Sequence, residues 1–250
     1  MTAHVLVTGA AGAIGGALVR ELAREDREAR FSLVDKSPAR HDLGERARTL
    51  AWDLAAPDAL PAAWAEATKD APVTTLVNCA GFMELVSFAG TSWELGRALL
   101  DVDMVSPLRL MSLAVPSMRA RGAGTVVNVS SMAGLVPLRG SSYYGAAKAG
   151  LAMASEVARI ELAASGVHVL TVYPGPVASE LERRARAQVA PTLASRAIPV
   201  GDPEVLARAI TKAMRRRAPR VVYPPIYAGA AEVLSIARRF TERFSPAPRD

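Results

Sequence analysis

Short β-rich runs and longer helix-like stretches alternate along almost the whole chain, and this alternation limits the fold more than any other feature. The β-rich runs are apolar throughout, as expected for strands whose two faces are both covered by helices. Strands separated by helices form βαβ units, and such units build parallel sheets. We therefore expect an α/β fold, a single-domain Rossmann-like doubly wound sheet of seven mostly parallel strands with helices on both faces. The predicted strands are 4–8, 31–35, 49–52, 74–78, 125–130, 167–173 and 220–223, and the predicted helices are 14–24, 59–68, 92–118, 142–164, 203–216 and 228–244.

The length of 250 residues suits one large domain, which we place at residues 1–244 with a frayed tail at 245–250. A hydrophobic content of 50% with 22% charged residues is ordinary for a globular protein and excludes a disordered chain. The chain has one cysteine, Cys79, and three scattered histidines, so we expect no intrachain disulfide and no metal site. No charge-free run of 18 apolar residues occurs, and a cytoplasmic protein is the expectation. The net charge of +6 comes without an aromatic stacking platform, so we expect no nucleic-acid partner.

A glycine-rich turn follows the first predicted strand and opens the first predicted helix. It contains Gly9, Gly12, Ala13, Ile14 and Gly15. Glycines allow a tight turn in which backbone N–H groups approach a phosphate, and the helix N-terminus adds a favourable dipole for an anion. The position of the turn, on the first strand of a βαβ series, predicts a dinucleotide-binding site.

The second predicted strand ends at Asp35, about 20 residues after the glycines. In dinucleotide sites an acidic residue at this distance accepts hydrogen bonds from the adenosine ribose. A carboxylate there repels a 2′-phosphate, which favours NAD over NADP. Lys36 is the opposing signal, because a cation next to Asp35 would pair with that phosphate. We expect Asp35 to dominate and NAD to be the cofactor.

Three side chains form a candidate catalytic group. Tyr144 and Lys148 are four residues apart in a helix-like stretch and so share one face, and Ser131 ends a strand 13 residues before Tyr144. A phenol is a poor acid or base at neutral pH, but a nearby ammonium and a positively charged nicotinamide would lower its pKa. Tyr144 would then exchange a proton with a substrate oxygen that Ser131 holds, and Lys148 would also reach the nicotinamide ribose. Tyr143 has Ala147 at the same spacing and cannot make this pair.

With these motifs in order, the sequence resembles the compact branch of the short-chain dehydrogenase/reductase family from Val5 to about Ser179. The resemblance implies an NAD(P)-dependent oxidoreductase that interconverts a secondary alcohol and a ketone or aldehyde. It implies that Asp53 and Leu54 contact adenine and that Val177 and Ser179 hold the nicotinamide carboxamide. The motifs that carry it, besides the glycine turn and Tyr144 with Lys148, are Asp53-Leu54, Asn78-Cys79-Ala80-Gly81, Asn128-Val129-Ser130-Ser131 and Pro174-Gly175-Pro176-Val177-Ala178-Ser179. The further cofactor-contacting residues that it implies are Asn78, Ala80, Gly81, Val129, Pro174 and Gly175.

The sequence departs from the family pattern at two positions. Ala13 replaces the middle glycine of the turn, where we expect a small local shift. Asp103 stands where the family has an asparagine that completes a Ser, Tyr, Lys, Asn tetrad, and the only asparagines of the chain are Asn78 and Asn128. Catalysis is then retained, slowed or given another pH profile. The alternative is a dinucleotide-binding regulatory or scaffold protein with little turnover.

The remaining expectations concern the substrate and the partners. By the resemblance, residues 180–201 form a mobile substrate lid. Apolar residues near the site suggest a small-molecule substrate that is an apolar alcohol or ketone; they are Phe82, Met83, Leu135, Val136, Leu138 and the segment 223–227. The predicted last helix has an apolar face flanked by arginines, and we expect it to pack on its own domain or on a sister subunit, with attachment to an anionic membrane surface as the other reading. Family members commonly form homodimers or homotetramers through helices corresponding to 92–118 and 142–164.

Overall fold

The computed structural model describes residues 2–39, 41–188 and 199–229. Its seven strands form one sheet in the order β3-β2-β1-β4-β5-β6-β7, and all neighbouring strands are parallel. The order reverses between β1 and β4, which creates a topological switch point. The predicted fold class, a Rossmann-like doubly wound parallel sheet, is confirmed. The strands are β1 (His4–Thr8), β2 (Arg30–Val34), β3 (Ala47–Leu50), β4 (Thr75–Asn78), β5 (Gly124–Val129), β6 (Val167–Pro174) and β7 (Arg220–Tyr223).

Helices cover both faces of the sheet, and each face has its own apolar core. Alternate residues of β1 illustrate the division, since Val5 and Val7 belong to one core and Leu6 to the other. The first core includes residues of α1 and α7, and the second includes residues of α2 and α4. Burial on both sides explains why the strand runs are apolar throughout. The helices are α1 (Ala13–Glu25), α2 (Leu60–Thr68), α3 (Trp93–Leu100), α4 (Ser106–Ala120), α5 (Ser142–Glu161), α6 (Glu180–Ala187) and α7 (Pro203–Arg215).

Side-chain caps fix where several helices begin. The Asp202 carboxylate accepts from the N–H groups of Glu204 and Val205 at 2.7 and 3.0 Å, and Pro203 occupies the first turn of α7. Ser179 caps α6 by accepting from the Glu182 N–H at 3.1 Å. Such caps satisfy amides that have no partner inside the helix.

The helical stretch predicted over 92–118 is present from Trp93 to Ala120, but it is not one regular helix. Helices α3 and α4 are joined by a π turn, Asp101–Val105, in which the Ser106 N–H donates to the Asp101 carbonyl five residues back. Asp101 and Asp103, two residues of this turn, are both buried. Asp101 pairs with Arg97 at 2.7 Å, and Asp103 turns toward α5.

The third strand lies two residues earlier than expected. Strand β3 pairs with β2 from Phe31–Ala47 to Val34–Leu50, so Trp52 lies beyond the strand end. Residues 230–244 of the predicted helix 228–244, the tail 245–250 and residues 189–198 of the expected lid lie outside the described residues. Across the ranges that the structure does describe, no helix has the length and apolarity needed to cross a membrane.

Candidate active site

A cleft of about 1030 Å³ runs along the carboxyl edge of the sheet at the switch point. Its size lies at the upper end of the ~300–1,000 Å³ typical of ligand pockets. Of the residues proposed to bind cofactor, those in its walls are Gly9, Gly12, Ala13, Ile14, Gly15, Asp35, Leu54, Ala80, Gly81, Val129, Tyr144, Lys148, Pro174, Gly175, Val177 and Ser179. Asp53 and Asn78 do not line it. The fold therefore brings together segments that lie far apart in the sequence.

The glycine turn has the geometry that a bound pyrophosphate needs. Gly9 has a φ of +70°, and a Cβ there would lie 2.7 Å from the Ala80 backbone. A Cβ on Gly15 would lie 2.1 Å from the Gly9 carbonyl oxygen, so the turn closes only with glycine at this position. Gly12 precedes α1 without a side-chain cap, and no acidic residue lies in the first turn of that helix. These N-terminal amides fit the phosphates of a dinucleotide.

Asp35 and its neighbours form the adenosine end of the cleft. The Asp35 carboxylate accepts from the Ala11 N–H at 2.9 Å and from the Ser37 N–H at 3.0 Å, which fixes it beside the glycine turn. Lys36 pairs with Asp53, with 2.9 Å between Lys36 Nζ and Asp53 Oδ1. The Lys36 ammonium lowers the pKa of Asp53. The side chain of Asp53 thus meets a lysine, and its expected contact with adenine stays a prediction.

Asn78 stabilises the sheet from below the cleft. Its amide donates to Asn128 Oδ1 at 2.8 Å and to the Pro107 carbonyl at 3.3 Å, while the Asn128 amide donates to Ser155 Oγ at 2.7 Å. These buried contacts join β4, β5, α4 and α5. Of the turn Asn78-Cys79-Ala80-Gly81, the last three residues reach the cleft wall and Asn78 ties the sheet together.

Ser131, Tyr144 and Lys148 converge in one wall of the cleft, as their spacing predicts. The Ser131 hydroxyl faces the Tyr144 phenol, and Lys148 Nζ lies 5.7 Å from the centre of the Tyr144 ring. The start of α5 is fixed against β5 because Ser130 Oγ donates to the Lys148 carbonyl at 2.7 Å. A substrate oxygen beside Ser131 and Tyr144 would meet a hydrogen-bond donor and a proton-transfer group together.

The electrostatics of this trio differ from the expectation. Burial raises the pKa of Tyr144. Lys148 and the Ser131 hydroxyl oppose that shift, and Asp103 adds to it. Burial alone would lower the pKa of Lys148, but Asp103 and Tyr144 outweigh it and raise this pKa. Lys148 lowers the pKa of Tyr144 as expected, but in the protein without cofactor burial outweighs this effect and the net pKa is raised.

Asp103 is the carboxylate in question, and it is fully buried. Its Oδ1 lies 3.0 Å from Lys148 Nζ, and its Oδ2 accepts from the Phe82 N–H at 3.4 Å. Lys148 Nζ also donates to the Val129 carbonyl at 3.1 Å. Asp103 is thus paired with Lys148. The π turn delivers Asp103 to this position.

The substrate end of the cleft combines apolar walls with a charged rim. Phe82, Met83 and Leu138 line it, whereas Leu135, Val136 and the segment 223–227 do not. At the charged rim, Glu84 contacts Arg184 at 3.3 Å and also Gln188. These rim residues were not predicted from the sequence. The Leu85 N–H donates to Gln188 Oε1 at 3.0 Å, so the end of α6 is fastened to the loop after β4.

The sequence analysis also missed Trp52, which lines the adenosine end of the cleft. A strand predicted to end at residue 52 placed this side chain inside the sheet. The available signal was its position directly before Asp53-Leu54, the pair that the resemblance assigns to adenine.

A doubly wound sheet, a glycine turn at its switch point and a Ser, Tyr, Lys group in the same cleft together define a nicotinamide-dependent oxidoreductase. The sequence model of the family described as short chain dehydrogenase matches residues 3–190. The chain belongs to the short-chain dehydrogenase/reductase family, whose members act on CH–OH and carbonyl groups.

Individual relatives agree with this assignment. The chain is 34% identical to the cis-4-hydroxycyclohexanecarboxylate dehydrogenase of Sinomonas cyclohexanicum over 218 residues, which cover 82% of this chain and 86% of that protein. A short-chain dehydrogenase from Sphingobium yanoikuyae, solved in complex with NADPH, superposes with a TM-score of 0.80 at 27% identity and covers 97% and 96% of the two chains. A 4-hydroxyisoleucine dehydrogenase complexed with NADH has the same fold, with a TM-score of 0.78 at 18% identity over 88% and 96%. The cofactor is a nicotinamide dinucleotide.

Proposed function

We propose that the protein interconverts a secondary alcohol and a ketone or aldehyde with Tyr144 as the general acid/base. The convergence of Tyr144, Ser131 and Lys148 on the cleft that contains the glycine turn carries this proposal. Ser131 orients the substrate oxygen, Tyr144 exchanges a proton with it, and Lys148 holds the ribose next to the reactive ring. The bound nicotinamide supplies or accepts the hydride at its C4 carbon.

NAD is the cofactor that the adenosine end favours. Asp35 is fixed by two backbone amides beside the glycine turn, where its charge opposes a 2′-phosphate. Lys36, the cation that would attract such a phosphate, is paired with Asp53. The Sphingobium yanoikuyae enzyme was solved with NADPH, so a direct comparison of NADH and NADPH binding is the relevant measurement.

The apolar side chains of Phe82, Met83 and Leu138 support an apolar alcohol or ketone as substrate. The test is a screen of apolar ketones with NADH, followed by the substitution Tyr144→Phe. We expect Tyr144→Phe to lower turnover by a factor of ~10²–10⁴ while NADH still binds. Tyr143→Phe is the matched control, because Tyr143 stacks on Phe88 with ring centres 6.2 Å apart. Full turnover of Tyr144→Phe would exclude this role.

The alternative of a dinucleotide-binding scaffold with little turnover rests on Asp103 alone. Its signature would be tight NADH binding without hydride transfer to any ketone of the screen in a single-turnover experiment. The placement of Ser131, Tyr144 and Lys148 together in the cleft favours the enzyme.

We also propose that the protein forms a homo-oligomer through α5. Met153, Val157 and Ile160 lie on one side of this helix and are 67%, 45% and 66% exposed. The opposite side of α5 carries Tyr144 and Lys148 into the cleft, so a partner on the exposed side would support the catalytic helix. Three neighbouring exposed apolar side chains are typical of a protein–protein interface. Sedimentation of an Ile160→Glu variant tests the proposed oligomer. If the variant sediments with the same oligomer mass as the unmodified protein, this face of α5 is excluded as the interface.

A further inference from the structure

Asp103 and Lys148 form a buried ion pair next to Tyr144, the proposed acid/base. Asp103 is fully buried, and the Lys148 side chain is 5% exposed. A buried ion pair gains little stability over apolar packing, because both ions lose their hydration. A second observation shows that the surrounding backbone accommodates the pair. A Cβ on Gly81 would lie 2.4 Å from Asp103 Oδ1 and 3.2 Å from Lys148 Nζ.

We infer that Asp103 is a positioning residue that anchors the Lys148 ammonium and balances its charge, so that Tyr144 stays protonated and serves better as a proton donor to a carbonyl than as a proton acceptor from an alcohol. The inference rests on the proposed function and deepens it, because it assigns carbonyl reduction as the direction for which the site is built. In that direction the O–H bond of Tyr144 breaks, its proton passes to the carbonyl oxygen, and the hydride comes from the reduced nicotinamide.

The charged and titratable groups around the trio are few. Lys148 faces Asp103 from the π turn, Tyr144 from its own helix and Cys79 from the loop after β4. Burial raises the pKa of Cys79 to about 12, so it is a neutral thiol in the working range. Tyr144 faces Lys148, Asp103 and the Ser131 hydroxyl. Burial has the largest effect on the Tyr144 pKa and raises it; of the two charged neighbours, the Lys148 ammonium opposes that rise and the Asp103 carboxylate adds to it. Burial also raises the pKa of Asp103, and Lys148 opposes that shift.

The geometry gives Asp103 two effects on Tyr144. The contact at 3.0 Å fixes the position of Lys148 Nζ, which also donates to the Val129 carbonyl. The negative charge of Asp103 also disfavours the phenolate directly, which raises the pKa of Tyr144. Asp103→Asn keeps the shape of the side chain and removes the charge, so the phenolate should form at lower pH.

The test uses the cofactor-free protein labelled with carbon-13 at tyrosine Cζ, whose chemical shift reports phenolate formation. The chain has five tyrosines, and Tyr144→Phe identifies the resonance of Tyr144. We expect Asp103→Asn to lower the Tyr144 midpoint by about one pH unit, a tenfold larger phenolate fraction at a given pH. Asp101→Asn is the matched control. It removes a carboxylate from the same π turn, but Asp101 pairs with Arg97, so the midpoint should not move.

A second variant, Asp103→Ser, removes the charge with a smaller side chain and should shift the midpoint in the same direction. An unchanged or higher Tyr144 midpoint in either variant overturns the inference. Failure of both variants to fold overturns it as well, because a positioning role requires a fold that survives without the charge.

Activity supplies the second readout. With a ketone from the screen, the loss of reduction at high pH should move to lower pH by about one unit in Asp103→Asn. A rate that rises equally at every pH would support the low-turnover alternative and contradict the inference. If Tyr144→Phe retains activity, the proposed function fails, yet the titration still reports whether Asp103 controls Tyr144.

Discussion

Replacing Asp35 by serine should move the cofactor preference from NADH toward NADPH. The Asp35 carboxylate accepts from the N–H groups of Ala11 and Ser37, which holds it beside the glycine turn. A serine hydroxyl can accept from the same amides, so the substitution removes the charge and keeps a hydrogen-bond acceptor. The expected change is therefore electrostatic.

Coulomb's law gives the size of the effect. A carboxylate about 5 Å from a 2′-phosphate repels each unit of its charge by about 1.7 kcal/mol at an effective dielectric constant of about 40. A phosphate with about 1.5 charges then loses about 2.5 kcal/mol, or ~60-fold in affinity. Screening at 0.1 M salt, where the Debye length is about 10 Å, reduces this to no less than ~tenfold.

Fluorescence titration with NADH and NADPH measures the ratio of the two dissociation constants before and after the substitution. Asp58→Ser is the control for net charge, because Asp58 is exposed and lies in the turn before α2. Asp53→Asn is a second probe, since it releases Lys36 and should strengthen NADPH binding alone. A change of less than about threefold in Asp35→Ser, or tighter binding of NADPH by the unmodified protein, would refute the electrostatic argument.

Two further predictions concern the glycine turn and the pH dependence of stability. Gly15→Ala should abolish NADH binding in the same fluorescence assay, because its Cβ would lie 2.1 Å from the Gly9 carbonyl oxygen. Gly16→Ala should bind normally, because its Cβ would approach no atom closer than 3.4 Å, which is ordinary van der Waals contact. Burial lowers the pKa of His4, which sits between Ser32 Oγ and the Ala71 carbonyl. Because the unfolded chain then binds the proton more readily, the free energy of unfolding should fall as pH drops through about 6.5, by up to ~1.4 kcal/mol per pH unit. Urea denaturation at a series of pH values should show that the free energy of unfolding changes less steeply with pH in His4→Gln than in the unmodified protein. An equal dependence on pH would contradict the attribution of this effect to His4.

The sequence predicts the sheet and the position of its cleft well, because periodicity and glycine placement are local signals. Strand β1 has the predicted limits, and the seven strands occur in the predicted sequence order. The third strand is displaced because its register is set by pairing with β2, where the Asp35 N–H donates to the Leu50 carbonyl and ends the ladder. The register of such long-range strand pairing cannot be read from the four residues of β3 alone.

The sequence predicts which residues lie in the site, but it does not predict the contacts that they make there. The spacing of Tyr144 and Lys148 places both on one helix face, and the structure brings Ser131 to them. The sign of the Tyr144 pKa shift depends on burial and on Asp103, and neither is readable from spacing. The π turn was not predicted because Asp101–Val105 contains neither glycine nor proline and its residues fit a regular helix equally well.

The π turn also makes the tolerance of this helix to insertions and deletions uneven. Each residue of a regular helix advances the chain by ~100° around the axis. Deleting one residue inside α3 or α4 would rotate its flanking turns by that angle, although α3 packs on α5 and α4 packs on α2. Deleting one residue between 101 and 105 would instead turn the π turn into a regular one, and length changes in the loop before α3 carry no rotation. Homologous chains that keep both contacts should therefore vary in length before residue 92 or lose one residue in the π turn, and keep the spacing within α3 and within α4.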